Sequence, residues 1–487
     1  MIQRHFRASL IGCIALSPFA SANQPIEISK DGLAAIRPAA HTPLVGSDVG
    51  VVASTRGGGV PYGATPDWTN TLRRQVSALQ IADMNGDGRN DLVVGCYSSQ
   101  SVPAYTDWEN MIYYNVGGGL ETEPSWVSTD EVSTIDLQVA DINRDGFPDI
   151  YAANGLGAAS VIYYGSASGP STSPGWFSTV PGNTFAVSAA IFDVDRDGDL
   201  DVFTGNQGLT QASPFRPMYG FRNNNGNLET TPFWQSAESS IQNSLSVGDY
   251  DNDGWPDLAV SKWVNFQSAV YRNVNGAMQT TPVWTSGETT ADRGTAWADV
   301  DGNGFVDLAL GRSVTSWYRN DAGVLSFAAA LTAPFWSHSE LRFADVNRDG
   351  RPDLAETHFS DGRTHIYLNN DGELSIAPSW SYDAGPLGTA IAFGDLNDDG
   401  WLDFAIGYSG QPSIAVFYAD PPALLGDMNC DGIVSVGDIA GFVLALTDPT
   451  GYAAAFPACD INNGDINGDS VVSVGDIAAF VALLTGP

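Results

Sequence analysis

The chain has 487 residues, with 21 Lys and Arg against 56 Asp and Glu, for a net charge of −35. That balance excludes nucleic acid and anionic membrane surfaces as partners, because both need clustered basic side chains. Disorder, the usual reading of an acidic chain, is excluded in turn by 43% hydrophobic and 11% aromatic residues, enough for a sizeable core.

Residues 1–22 read as an export signal. Arg4, His5 and Arg7 precede a mostly apolar stretch from Leu10 to Phe19, and Ala20-Ser21-Ala22 supplies a small-x-small cleavage site. The stretch is too short to span a bilayer. Leu10-Ile11-Gly12-Cys13 resembles a lipobox, but apolar residues continue past Cys13, which favours ordinary cleavage before Asn23. No later apolar run reaches spanning length, so the expected product is secreted, extracellular or cell-surface associated, with no membrane span. Residues 23–65 form an N-terminal segment ahead of the first repeat.

Three markers then recur seven times each. An acidic motif begins at Asp83, Asp141, Asp193, Asp249, Asp299, Asp345 and Asp395, at intervals of 46–58 residues. A Pro-x-Trp marker carries Trp68, Trp126, Trp176, Trp234, Trp284, Trp336 and Trp380. An aromatic strand, often ending in Asn, follows each acidic motif, as at Tyr271 to Asn273. Short strands separated by Gly, Asn and Asp turns, four to a repeat of this length, are the signature of a propeller blade. The expected fold is all-β, a seven-bladed β-propeller over residues 66–419. Pro66-Asp67-Trp68 precedes the first motif, and the seventh repeat has no Pro-x-Trp after it. Residues near Trp68 should therefore supply the outer strand of the seventh blade and close the ring.

The acidic motif places oxygens at positions 1, 3, 5 and 9 of a tight loop, with Gly at position 6 for the turn. Such a cage suits a hard cation, and Ca²⁺ better than Mg²⁺. The expected ligands are Asp83, Asn85, Asp87 and Asp91; Asp141, Asn143, Asp145 and Asp149; and Asp193, Asp195, Asp197 and Asp201. They continue with Asp249, Asp251, Asp253 and Asp257, then Asp299, Asp301, Asn303 and Asp307. Asp345, Asn347, Asp349 and Asp353, and finally Asp395, Asn397, Asp399 and Asp403, complete the series. These repeats resemble the integrin-type FG-GAP, or VCBS, repeats, whose blades carry calcium in such loops. The FG-GAP dipeptides themselves are poorly kept, so the resemblance implies the metal rather than an integrin-like ligand.

After the linker 420–425 comes a duplicated segment, residues 426–487. Asp427, Asn429, Asp431, Ser435 and Asp438 space oxygens as an EF-hand loop does, and Asp465, Asn467, Asp469, Ser473 and Asp476 repeat the pattern. Each loop runs into a helical stripe, Ile439, Phe442, Val443 and Leu446 in the first copy and Ile477, Phe480, Val481 and Leu484 in the second, expected to bury one face. Asp at position 12 and the lack of a helix before each loop resemble a dockerin module. That resemblance implies a cohesin-like partner, met through Val436, Gly437, Ala440 and Gly441 and through Val474, Gly475, Ala478 and Ala479. Cys430 and Cys459 are expected to close this module as a disulfide. Cys96 reads as a small buried hydrophobe.

No nucleophile elbow, phosphate loop or zinc motif is present. His41, His338, His358 and His365 read as core or surface histidines, and the dense acid clusters are claimed by metal. Trp108, Trp255, Trp263, Trp297, Trp317 and Trp401 are weak candidates for stacking on sugar rings. The reading is a calcium-binding adhesion protein whose propeller meets a glycan or a protein. The alternative is a polysaccharide-degrading lyase or hydrolase, which a basic Arg/Lys/His cluster at one propeller mouth would favour.

Overall fold

A computed structural model describes residues 59–97, 108–180, 184–208, 215–263, 266–289, 291–312, 314–331, 338–359, 361–419, 424–430, 433–456, 459–469 and 471–485. The export signal, most of the linker, His41, Trp336 and Asp431 lie outside these residues. Two compact units are present, one running over Tyr62–Ala419 and one over Asp420–Pro487.

Seven four-stranded antiparallel sheets make up the first unit. Blade one is ordered Val76–Ala82, Asp91–Cys96, Met111–Tyr113, Trp126–Val127, from the innermost strand outward. The next five blades repeat that order, and the innermost strand of each packs against the innermost strands of both neighbours. Blade seven joins Gly388–Gly394, Asp403–Tyr408 and Ile414–Phe417 to Trp68–Thr69, with Trp68 opposite Val416 and Thr69 opposite Ala415. The N-terminal strand therefore closes the ring as the marker order requires. Tyr62 extends the closure by bridging Ala419 and donating from its hydroxyl to the Leu402 carbonyl at 2.7 Å.

The core lies between blades rather than within them. Val94, Met111 and Tyr113 of blade one pack with Ala405, Ile414 and Val416 of blade seven, and the other apolar clusters likewise join adjacent blades. The Pro-x-Trp tryptophans bolt these interfaces. Trp126, Trp176 and Trp234 each donate from Nε1 to a carbonyl of the next blade, Pro170, Leu228 and Met278, at 2.8–2.9 Å. Blade five departs from the marker series. Its outer strand is Leu325–Ala330, paired with Ser316–Asn320, and carries no tryptophan.

A bulge interrupts the first strand pair of every blade except the fifth. In blade six the residue just past it is Glu340, 1% exposed, which accepts from Ile391 N–H of the next blade at 2.8 Å and meets Arg342 at 2.8 Å. Burial pushes its carboxyl up to about 8, although Arg342 and the Ile391 amide pull the other way. A raised carboxyl favours the protonated folded state, so stability falls as pH rises from the ordinary glutamate range through about 8. Glu340→Gln keeps the acceptor and is expected to flatten that fall, raising the melting temperature at pH 8 while leaving it unchanged at pH 5. Melting curves of both proteins across that range check it.

In the second unit, α1 (Ile439–Thr447), α2 (Pro449–Ala455) and α3 (Ile477–Thr485) are short. Cys430 and Cys459 are joined as a disulfide, and Cys96 is buried and unpaired in the propeller. Phe442 and Phe480 stack with centroids 4.2 Å apart, over Met428 and Tyr452. The helical stripe expected to be wholly buried is split: Ile439, Val443, Ile477 and Val481 are 43–51% exposed. Each nine-residue helix has room for one line of contacts, and the phenylalanines take it.

Candidate metal centres

Each acidic motif connects the first and second strands of its blade. Position 6 is glycine in all seven, with φ between +79° and +90°, a left-handed turn that a side chain disfavours. Position 1 curls the loop around itself. In blade one the Asp83 carboxylate accepts from the N–H groups of Gly86, Asp87 and Gly88 at 2.8–3.1 Å. The remaining blades repeat that geometry, as in Gly254 N–H to Asp249 and Gly350 N–H to Asp345, both 2.8 Å.

Position 9 does different work. Asp91, Asp149, Asp201, Asp257, Asp307, Asp353 and Asp403 open the second strands and are at most 1% exposed. One oxygen of each accepts from the position 2 amide, Met84 to Asp91 at 2.9 Å or Leu396 to Asp403 at 2.6 Å. The other accepts from the residue two past the end of the third strand, such as Asn115 to Asp91 and Asn369 to Asp353, or in blade five from that strand's last residue, Asn320. Burial is the main cause that pushes these carboxyls up, to about 6 for Asp91 and Asp149, about 7 for Asp201, Asp307, Asp353 and Asp403, and about 8 for Asp257. Acids at positions 1, 3 and 5 add to the rise.

Carboxylate oxygens converge within 4.8 Å of one another in three blades, at Asp193, Asp195 and Asp197, at Asp249, Asp251 and Asp257, and at Asp299, Asp301 and Asp307. In the other four blades position 3 is Asn85, Asn143, Asn347 or Asn397, whose amide oxygen accepts from the position 5 N–H at 2.9–3.1 Å; the Asp251 and Asp301 carboxylates accept from the equivalent N–H. Hard oxygen donors in this density, with carboxylates held beside one another, suit a divalent cation.

Two features of these loops went unread in the sequence. Wherever position 3 is Asp, the residue before the third strand's terminal Asn is Arg. Arg222 pairs with Asp195, Arg272 with Asp251 at 2.7 Å, and Arg319 with Asp301 at 2.9 Å. Wherever position 3 is Asn, the equivalent residue is Tyr114, Tyr164, Leu368 or Tyr418, followed by Asn115, Gly165, Asn369 or Ala419. The covariation within the repeats is visible in the sequence once they are aligned. The second feature is the Asn itself. Asn223, Asn273, Asn320 and Asn369 each donate from Nδ2, at 2.6–2.8 Å, to the position 2 carbonyl of the preceding blade's loop. One residue thus holds two loops.

Position 4 links the loops a second time. Arg144 reaches Asp199 of the next loop at 2.9 Å, Arg196 lies 4.7 Å over Trp255, and Arg348 lies 3.9 Å over Trp401. Trp255 and Trp401 are thus covered by guanidinium groups, and Trp297 and Trp317 are buried in the core, so four of the six tryptophans considered for sugar stacking have structural work.

In the C-terminal unit, position 12 closes each loop. Asp438 accepts from Met428, Asn429 and Ser435 N–H at 2.7–3.1 Å, and Asp476 accepts from Ile466, Asn467 and Ser473 N–H at 2.8–3.0 Å. The Ser435 and Ser473 hydroxyls accept from Gly437 and Gly475 N–H and cap the turns that follow. Gly441 lies against the loop, where a Cβ would sit 2.4 Å from the Met428 carbonyl.

A basic cluster does occupy the opposite ends of the second strands, in blades four to six. Lys262 contacts Glu238, Arg312 contacts Glu288 and Asp292, and His358 contacts Glu356 at 3.1 Å and Asp361 at 3.4 Å. Each of these cations is tied to an acid. Arg293, 6% exposed, has no such pairing among the described residues.

Comparison with known proteins agrees with this architecture. The model for the FG-GAP-like repeat matches residues 83–152, 141–204 and 357–406, and that for the FG-GAP repeat matches residues 242–271. No curated protein matches the sequence. Among solved structures, BBS1N in complex with ARL6DN, soaked with lead, is similar at a TM-score of 0.51 and 12% identity, covering 74% of this chain and 98% of that one. The same complex soaked with mercury gives 0.50 and 13%, covering 72% and 93%. The chain carries FG-GAP repeats on a seven-bladed β-propeller. Among the described residues no helix is long and apolar enough to cross a membrane.

Proposed function

We propose that the protein is an exported, calcium-dependent adaptor. Its propeller recognises an extracellular glycan or protein, and its C-terminal unit, a dockerin-type module, fastens it to an assembly that carries a cohesin-like domain. One observation carries the reading. Val436, Ile439 and Val443 are 77%, 44% and 51% exposed, and their counterparts Val474, Ile477 and Val481 are 77%, 43% and 49% exposed. Two copies of one apolar patch, at equivalent places of a duplicated segment, suit a partner that docks in either of two orientations.

Other features support it. The acidic loops offer the donors calcium prefers, and the Cys430–Cys459 disulfide fits an oxidising compartment outside the cell. Propellers of similar fold have been solved in complex with a protein, ARL6DN. The polysaccharide-cleaving alternative gains little from the basic cluster, because Lys262, Arg312 and His358 are already paired.

Titration calorimetry of the full chain against cohesin domains tests the docking. Val436→Asp or Val474→Asp alone is expected to leave affinity within a few-fold, while the double variant loses it by roughly 100-fold or more, since charge in a buried hot spot costs several kcal/mol. Undiminished binding by the double variant, or no binding by the parent, overturns the reading.

A further inference from the structure

We infer that the propeller face opposite the acidic loops holds a subsite for a sugar carboxylate, with Arg293 as its anchor. This rests on the propeller being the recognising half of the adaptor and names the chemistry it recognises. Arg293 precedes the innermost strand of blade five (Gly294–Ala298). Its guanidinium lies 4.0 Å from the ring centre of Trp263, at the end of blade four's second strand, and 5.3 Å from that of Phe359, at the end of blade six's. Two of its three guanidinium nitrogens, Nε and Nη1, are buried with no hydrogen-bond partner among the described residues.

The neighbouring cations show what is unusual here. Arg312, 5% exposed, is also buried, yet it meets both Asp292 and Glu288. A chain with 56 acids has ample carboxylate to neutralise one more arginine. An unpaired buried charge is costly, and burial alone holds the Arg293 guanidinium down, to about 9. Aromatic rings soften the cost through cation–π contact but accept no strong hydrogen bond.

A second orphan lies in the same network. Asn243 of blade four donates from Nδ2 to the Asp292 carbonyl at 2.8 Å, which fixes the residue next to Arg293. Its Oδ1 is buried with no donor among the described residues. Unmet N–H donors on a cation, with an unmet carbonyl acceptor on the residue that holds its neighbour Asp292, suit a ligand with one anionic oxygen group and one hydroxyl. A single positive charge matches a monoanion better than a phosphate dianion. A uronic acid unit has both groups.

Thermal shift and calorimetry on the full chain, with D-glucuronate, D-galacturonate, acetate and D-glucose as probes and no partner domain present, test the subsite. A saturable upward shift with a uronate, absent with glucose and weaker with acetate, is expected. Arg293→Met should lose at least about tenfold in uronate affinity, because charged hydrogen bonds of this kind are lost outright. It should melt no lower than the parent, since it removes a buried charge with no acid partner among the described residues. Arg293→Lys should bind with intermediate affinity. Equal response to glucose, no response to either uronate, or a uronate shift that survives Arg293→Met overturns the inference. So does marked destabilisation of Arg293→Met, which would make the residue structural. None of these outcomes bears on docking of the C-terminal unit, so the two readings fail separately.

Discussion

Chelating calcium from the full chain is expected to lower its melting temperature by at least about 10 °C. A site saturated at a hundred times its Kd stabilises the folded state by about 2.7 kcal/mol, and each kcal/mol moves the melting temperature of a domain of this size by about 2 °C. The loops explain why the effect should be shared by the whole ring. Position 9 is buried and its carboxyl is pushed up to between about 6 and about 8, partly by the acids of its own loop. A divalent cation removes that repulsion and lets every carboxylate ionise at neutral pH. Because Asn and Arg side chains tie most of the loops to the next, losing cations at one blade should loosen its neighbours. Magnesium at the same concentration should restore less than half of the shift, as it demands a tighter octahedron. Differential scanning calorimetry in calcium, in magnesium and in chelator reads all three. An unchanged melting temperature in chelator would remove the calcium assignment from all seven blades.

Much of the propeller was legible because its information is periodic. Seven acidic motifs, with glycine at position 6 where φ is positive, mark the same turn in every blade, although position 4 takes a positive φ on Arg144, Arg196, Asn252, Arg348 and Asp398. The order of markers even located the closing strand at Trp68. Blade five was less legible: its outer strand, Leu325–Ala330, lacks the tryptophan that marks the others. What stayed hidden were contacts that span a whole repeat. The terminal Asn of the third strand was visible as a recurring letter, but its carbonyl partner lies 69–81 residues earlier in the chain, in another blade. The Asp–Arg pairing at positions 3 and third-strand end was encoded as covariation between repeats, a signal that reading each motif alone does not use. The C-terminal helices show the opposite limit. Their period identified the apolar residues but not which of them face a neighbour, and half of that stripe proved exposed.

Asn369→Ala is expected to be the most damaging single substitution of a residue that contributes no proposed metal ligand. Asn369 is 1% exposed and its side chain makes three hydrogen bonds. Nδ2 donates to the Val300 carbonyl of blade five at 2.8 Å and to the Pro352 carbonyl of its own blade at 3.2 Å, and Oδ1 accepts from Gly372 N–H at 2.9 Å. Removing them strands buried carbonyls and an amide, at about 1–3 kcal/mol for each group left unsatisfied, so a loss of roughly 3–5 kcal/mol is expected. Its backbone amide still donates to Asp353, so the ligands of blade six keep their staple. The bond that is lost to another blade holds Val300, position 2 of the loop from Asp299 to Asp307. The substitution should therefore weaken calcium at blade five more than at blade six, although Asn369 belongs to blade six. Calcium titrations of Asn369→Ala combined with Asp299→Ala or with Asp345→Ala separate the two sites. The first combination should show little further loss of affinity at the weakened site, and the second should show the losses adding. Weakening at blade six alone would mean that Asn369 supports only its own blade, and that the loops are not coupled around the ring.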